Sequence, residues 1–499
     1  MMSTTMNIAA GSWVLLLTVV FMMITKTFKR RLFPNPNSGN LPPGSLGWPL
    51  MGETMEFMRS ALSAEPESFV RERVQKNGSR VFKTSILGEP FIFFCGPPEN
   101  KFLFSNENKS IITSWWPNSI RLLFKASLVN AVGDEVKRIK RILMACLNPD
   151  ALKRYIGTID SFTQDHIKTY WEGKEEVKVH NTVQLYTFEL ACRLFASISD
   201  AAHISKLGVQ FHMLNKGMIS LPIDIPGTRF YDAKRAADAV REELLLVVRE
   251  RKEALLDNKR IQVMSPTPQQ DDLISHLLVT ADVEGRCLSE MEIVDNTLLF
   301  LFAGYDTTQS ALTSLMKYLA QLPHVYAKVL REHMEIANAK QAGELLKWED
   351  IQKMQYSWSV VSEVLRLSPP IRGGFREATA DFTYAGYTIP KGWKLCWFMG
   401  YTQKDPSVFP DPERFDASRF EGGGPSPYCY VPFGGGDRKC IGQDFARLEI
   451  LVFLHNIVTR FQWDLVIPGE SFAYDPTILA PSHGLPIRLH PRPPTSSLL

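Results

Sequence analysis

Near its C-terminal end the chain reads Tyr430-Val-Pro-Phe-Gly-Gly-Gly-Asp-Arg-Lys-Cys-Ile-Gly442, and the spacing Phe-x-x-Gly-x-Arg-x-Cys-x-Gly restricts the fold more than any other feature. Gly434, Gly435, Gly436 and Gly442 permit a tight loop in which backbone N–H groups point at one sulfur, lowering the cost of a thiolate. Arg438, two residues before Cys440, is a fixed cation for a carboxylate, and Phe433 can shield the sulfur from water. A lone cysteine such as Cys95 or Cys192 is ordinarily a small buried hydrophobe. The loop around Cys440 sets it apart. The 7 cysteines lie far apart, with no C-x-x-C pair and an odd total. Neither a zinc knuckle nor a disulfide framework fits them, and the pattern implies a reducing compartment.

Such a loop needs a large frame, and the composition supplies one. Of 499 residues 45% are hydrophobic and 22% charged, ample for a substantial core. Lys+Arg total 56 against 53 Asp+Glu, a net charge of +3. That balance excludes a nucleic-acid partner, which requires a concentrated basic field. Helical periodicity predicts helices near 65–77, 149–171, 230–258, 271–281, 290–322 and 348–367. Short β-type runs at 81–87, 91–94 and 382–389 sit between turn residues. The expected fold is therefore mainly α with a small β part, a single large domain over 53–499. Residues 258–272, with Ser-Pro-Thr-Pro-Gln-Gln at their heart, read as a mobile surface loop inside that domain.

Residues 8–24 read IAAGSWVLLLTVVFMMI, followed at once by Lys26, Lys29, Arg30 and Arg31. As a helix the run reaches about 25 Å, borderline for a thin endoplasmic-reticulum bilayer. A cleaved signal peptide would carry its charge before the apolar run and a small-x-small site after it. This chain has the charge on the other side and no such site. The basic cluster keeps its own side in the cytosol. Residues 1–33 are thus expected to be an uncleaved single-pass anchor in the endoplasmic reticulum membrane, with the catalytic body cytosolic. The prolines within 34–52 make a stiff extended hinge that sets the tilt of that body.

A thiolate in a glycine-rich loop meets the needs of a heme iron, where its electron donation favours O–O cleavage. On these residues the sequence resembles the cytochrome P-450 family of heme-thiolate monooxygenases, over nearly the whole chain. The resemblance implies that family's fold and heme b, with Cys440 as the axial metal ligand and Phe433, Gly436, Arg438 and Gly442 around it. Glu363-Val-Leu-Arg366 matches the family's Glu-x-x-Arg helix, and Pro412-Glu-Arg-Phe415 supplies Arg414, expected to complete its ion-pair network. Taken alone, Glu363 and Arg366 would be a surface i,i+3 pair worth about 0.3 kcal/mol. On an apolar helix they are expected to support the heme loop rather than to catalyse.

Ala303-Gly-Tyr-Asp-Thr-Thr308 interrupts the most apolar helix of the chain. Small Ala303 and Gly304 let another plane approach, and an Asp there is costly unless it has partners. By resemblance, Thr307 orients dioxygen and Asp306 connects it to water for proton delivery. A departure lies in Gly133-Asp-Glu-Val-Lys-Arg-Ile-Lys-Arg141, where the family commonly has Trp and Arg and this chain has Val136 and Lys140. Lys140, a point charge without the guanidinium fork, stands in the place of the propionate contact. Lys137 and Arg138 read as a solvated basic face, or as a guide for an acidic redox partner.

Within the family the chain is similar to the plant branch that oxidises triterpenoid skeletons of the β-amyrin type. The stretches Ser114-Trp-Trp-Pro117, Leu221-Pro-Ile-Asp-Ile-Pro-Gly-Thr228 and Trp348-Glu-Asp-Ile-Gln-Lys-Met354 carry that likeness. Taxane-type diterpenoid or sterol hydroxylation is the alternative. An O2-independent isomerase or dehydratase is more remote, because Asp306 and Thr307 are intact, and a heme sensor or electron carrier is disfavoured by the long apolar helix. The resemblance implies O2, a hydrophobic terpenoid, and electrons from NADPH through NADPH-cytochrome reductase at the membrane. Walls around 114–124, 211–222 and 479–485 are expected to shape the pocket, with 211–225 dipping into the bilayer to admit a lipophilic substrate.

Overall fold

The computed structural model describes residues 39–48, 51–63, 65–107, 109, 111–261, 273–475 and 477–492. The expected anchor at 1–33 lies outside the described residues, as does 262–272, most of the expected mobile loop. Among the described residues no helix is long and apolar enough to cross a membrane.

The chain forms two compact units, 1–115 with 374–401, and 116–373 with 402–499. The smaller is built on a five-stranded sheet in the order Val81–Ile86, Glu89–Phe94, Lys394–Phe398, Gly373–Ala378, Ile112–Ser114. Its first hairpin turns on Leu87 and Gly88, both at positive φ, the two-residue geometry that matches strand twist. The run at 382–389 is likewise two strands, Phe382–Tyr384 and Tyr387–Ile389, because Ala385 and Gly386 take positive φ and reverse the chain. Part of the proline-rich segment runs along the sheet edge: Lys83 N donates to Pro43 O at 2.8 Å. Gly44 is required there, since a Cβ would stand 2.2 Å from Lys83 O.

The larger unit is helical, centred on Glu290–Gln321, which packs against Val179–Ala196 and Arg229–Ile261. Its buried residues run from Ile293 to Leu319, so it is the core element that the apolar sequence implies. A capping box starts it: Ser289 Oγ accepts from Glu292 N at 3.3 Å and Glu292 Oε2 from Ser289 N at 2.8 Å. Ser289→Ala is expected to lower unfolding free energy by about 1 kcal/mol in denaturant titration; an unchanged midpoint would contradict that capping role.

The stretch 348–367 is not one helix. It divides at Met354 into Trp348–Lys353 and Gln355–Leu367. The cause is a carboxylate from elsewhere: Glu332 accepts from Tyr356 N at 2.8 Å and Ser357 N at 3.0 Å, satisfying a new helix N-terminus. The helix expected at 271–281 is confined to Leu273–Val279 among the described residues, and Ala281 pairs instead with Cys287. Helices Asp134–Cys146, Ala201–Met218, Pro323–Asn338 and Gln443–Val458 and the sheet Glu176–Lys178, Pro486–Pro491, Phe461–Leu465 complete the frame around the site.

Candidate active site

The glycine loop closes on its own backbone. Gly434 and Gly436 hold φ of +67° and +69°, Gly434 N donates to Val431 O at 2.9 Å and Cys440 N to Phe433 O at 2.9 Å. The loop feeds straight into Gln443–Val458, whose first turn is closed by Ala446 N donating to Gly442 O at 2.8 Å. Cys440 is exposed, as is Cys287 on its surface turn, whereas Cys95, Cys146, Cys192, Cys396 and Cys429 are buried. Desolvation still pushes its thiol up, opposed by the Gly442 N–H and by the charges of Lys140 and Lys439. A thiol closely surrounded in a residue that keeps accessible surface, with an amide and two lysine charges favouring its ionised form, is the setting of a ligand rather than of a core thiol. The donor set fits a thiolate-held heme.

Phe433 is half-buried against the main hydrophobic cluster. Arg438 donates to Leu128 O at 2.5 Å and to Ala131 O, and Lys140 Nζ donates to Asp437 O at 2.7 Å. Both cations therefore brace the loop against the segment before Asp134–Cys146 and against that helix itself. Val136 is buried, and Arg138 is no solvated charge: it binds Glu135 at 2.6 Å and Glu292, tying that helix to the start of Glu290–Gln321. Lys137 stays on the surface beside Asp134 at 3.4 Å.

Behind the loop lies the Glu363–Arg366 pair, both at 0% exposure. Arg366 Nε and Nη2 donate to Glu363 Oε2 and Oε1 at 2.6 and 2.8 Å, a bidentate fork. Arg366 Nη1 donates to Gln403 O at 2.9 Å, and Gln403 Oε1 accepts from Val431 N at 3.1 Å. Gln403 thus carries the pair's position to the root of the cysteine loop. Arg414 does not supply the second cation: it enters through its carbonyl, 3.4 Å from Arg366 Nη2. The guanidinium near Glu363 is that of Arg419, at 3.6 Å, with Asp416 N donating to the same carboxylate at 2.9 Å. The motif at 412–415 placed the cation five residues early because the following one-turn helix Ala417–Phe420 swings Arg419 inward.

On Glu290–Gln321 an accessible stripe opens in the middle of an otherwise buried helix: Leu299 and Thr307 are half-buried and Ala303 is exposed. These positions are spaced i, i+4, i+8 and share one face. Gly304 looks elsewhere, with Phe195 at 3.6 Å from where its Cβ would be. Thr307 Oγ1 donates to Ala303 O at 2.7 Å. Asp306 is 4% exposed, and burial pushes its carboxyl up to about 7, partly offset by a hydrogen bond from Asn215 Nδ2. Next along the helix, Thr308 hydrogen-bonds Glu449 of Gln443–Val458, whose carboxyl burial raises well above the ordinary range. The helix of Asp306 and the helix that follows Cys440 are thus directly linked.

Two of the expected walls touch the same helix beside this stripe. Phe124, at the end of Asn118–Leu123, meets Phe302 with ring centroids 5.4 Å apart. Leu479 O accepts from Ser310 Oγ at 2.7 Å. Phe211 is fully covered by Phe188 at 5.1 Å, so it contributes packing. Asn215, Gln403 and Arg419 are the residues sequence reasoning missed. No motif marks them, and only the tertiary contact gives each its role.

The cytochrome P450 family profile matches residues 42–478. A beta-amyrin 28-monooxygenase of Vitis vinifera is 48% identical over 91% of this chain and 93% of its own. A protein of the same name from Medicago truncatula is 47% identical over 96% and 98%. A beta-amyrin 6-beta-monooxygenase of Solanum lycopersicum is 44% identical over 95% and 97%. Among solved structures, the retinoic acid bound cyanobacterial CYP120A1 superposes with a TM-score of 0.79 at 32% identity, covering 91% of this chain and 100% of that one.

Proposed function

The chain belongs to the cytochrome P-450 family, and from that premise we propose that it inserts one atom of O2 into a triterpenoid of the β-amyrin type. Relatives that act on β-amyrin at two different carbons align over almost the whole chain, and that observation carries the substrate class. The heme, when bound, supplies activation of dioxygen and the oxidant for an unactivated C–H bond. Cys440 would hold the iron through its sulfur, with the Gly442 N–H and the Lys140 and Lys439 charges favouring the thiolate. Arg438 and Lys140 keep the loop in shape and have cationic ends suited to a propionate. Ala303 leaves room on the helix beside the reacting atoms, Thr307 positions dioxygen, and Asp306 passes protons to it from water.

A rigid polycyclic hydrocarbon offers few polar handles, so apolar burial, worth about 25 cal/mol per Å2, sets its pose. Residues 1–33 anchor the chain in the endoplasmic reticulum membrane with the body in the cytosol, where NADPH-cytochrome reductase delivers electrons. The exposed Leu221, Ile223 and Ile225 fit contact with the bilayer surface.

The test incubates microsomes containing the full chain and a plant NADPH-cytochrome reductase with β-amyrin, NADPH and 18O2. One labelled oxygen per hydroxyl introduced is expected. Product without label would refute the monooxygenase reading, and turnover of a taxane diterpene but not of β-amyrin would refute the substrate class.

A further inference from the structure

We infer that Asn215 is a positioning residue for Asp306, holding the proton-donating carboxyl from the Ala201–Met218 helix and so linking proton delivery to the placement of that helix. The inference rests on the proposed role of Asp306.

The geometry is specific. Asn215 Nδ2 donates to Asp306 Oδ2 across two helices, 91 residues apart in sequence. Asp306 is buried while its neighbours Ala303 and Thr307 keep accessible surface, so the carboxyl lies on the flank of the helix, turned toward Asn215. The end of the helix bearing Asn215 is firmly placed. Gly217 sits so close to Arg229 and Ala233 that a Cβ would come within 2.3 Å of Arg229 O, and Ser119 Oγ donates to Met218 O at 2.6 Å. Beneath it, Thr187 Oγ1 donates to Tyr305 O at 3.1 Å and Phe188 packs on Tyr305 at 5.3 Å, fixing the backbone next to the carboxyl.

No charge competes for the position. Burial raises the Asp306 carboxyl and the Asn215 hydrogen bond opposes it, with no charged group among the described residues acting on it, although Tyr186, Glu189 and Arg193 of Val179–Ala196 and His212 and Lys216 of Ala201–Met218 lie on the elements packed here. The Tyr305 phenol is raised first by its own burial and then by the Asp306 charge. Asn215 is thus the polar partner of Asp306, and a neutral one. A cation there would hold the carboxylate ionised; an amide supports it while leaving it able to gain and lose a proton near neutrality.

The experiment titrates the infrared carboxyl band assigned to Asp306 by subtraction of Asp306→Asn, in full-length protein without substrate, and separately measures the peroxide-to-product ratio with β-amyrin. Asn215→Leu removes the donor at similar volume. Its carboxyl midpoint is expected to rise by about one pH unit, the tenfold effect of losing one hydrogen bond to a charged group. Its peroxide share is expected to increase even at a pH where the raised midpoint keeps the carboxyl protonated, because the carboxyl is no longer held in place, and Asn215→Gln, which restores a donor, is expected to recover part of both. An unmoved midpoint in folded Asn215→Leu overturns the inference. If Asp306→Asn itself leaves the peroxide ratio unchanged, the proton-donor reading fails instead.

Discussion

Arg366→Ala is expected to yield a chain that no longer retains heme and unfolds about 3–5 kcal/mol more easily, because Glu363 is left as a buried charge without its partner. The size of the effect follows from the geometry. Both side chains are at 0% exposure, the fork is bidentate, and two further donors on Arg366 reach Gln403 O and Arg414 O. Removing the guanidinium also takes away the donor to the carbonyl of Gln403, whose side chain holds Val431 at the root of the cysteine loop. Heme content per protein and the denaturant midpoint measure the result. Arg366→Lys should recover little, since an ammonium cannot reproduce the fork. Full heme content in Arg366→Ala would refute the supporting role.

Thr307→Ala and Asp306→Asn are expected to keep heme and bind substrate yet divert reducing equivalents to peroxide. Thr307 spends its hydroxyl on Ala303 O within its own helix, so its removal breaks no tertiary contact. Stability should change little, and the loss falls on chemistry. Removing a positioned proton donor lowers turnover by roughly 100-fold or more, so Asp306→Asn is expected to cut product formation by about that factor. Because burial holds the Asp306 carboxyl near 7, its protonated fraction falls as pH rises above that value, and coupling of NADPH to product should fall with it. Unchanged coupling in both variants would remove these residues from the mechanism.

Much of this site was legible because its chemistry is local. The glycine spacing around Cys440 specifies a loop whatever surrounds it, and the mid-helix break in apolarity at 303–308 marks a place where polarity needs a reason. Helix 290–322 was readable to within one residue because periodicity and the Ser289–Glu292 box agree. What escaped depends on partners distant in the chain. The break at Met354 is imposed by Glu332, the cation at Glu363 comes from Arg419 after a turn the motif does not encode, and Arg138 is held by Glu292 rather than solvated. Asn215 is an unremarkable helix residue until Asp306 is placed against it. Short strands such as Leu479–Pro481 exist by pairing with Phe472–Tyr474, which no period-2 pattern of three residues can announce.

The central claim is that the sulfur of Cys440 is bound to the heme iron. Its most direct test is the absorption spectrum of the purified full-length protein, reduced and treated with carbon monoxide, beside that of Cys440→His. The native protein should show the strongly red-shifted band of a thiolate-ligated carbonyl complex, and the variant should lose it while any heme it keeps absorbs as an imidazole complex does. A native protein without that band, or a variant that retains it, would contradict the account.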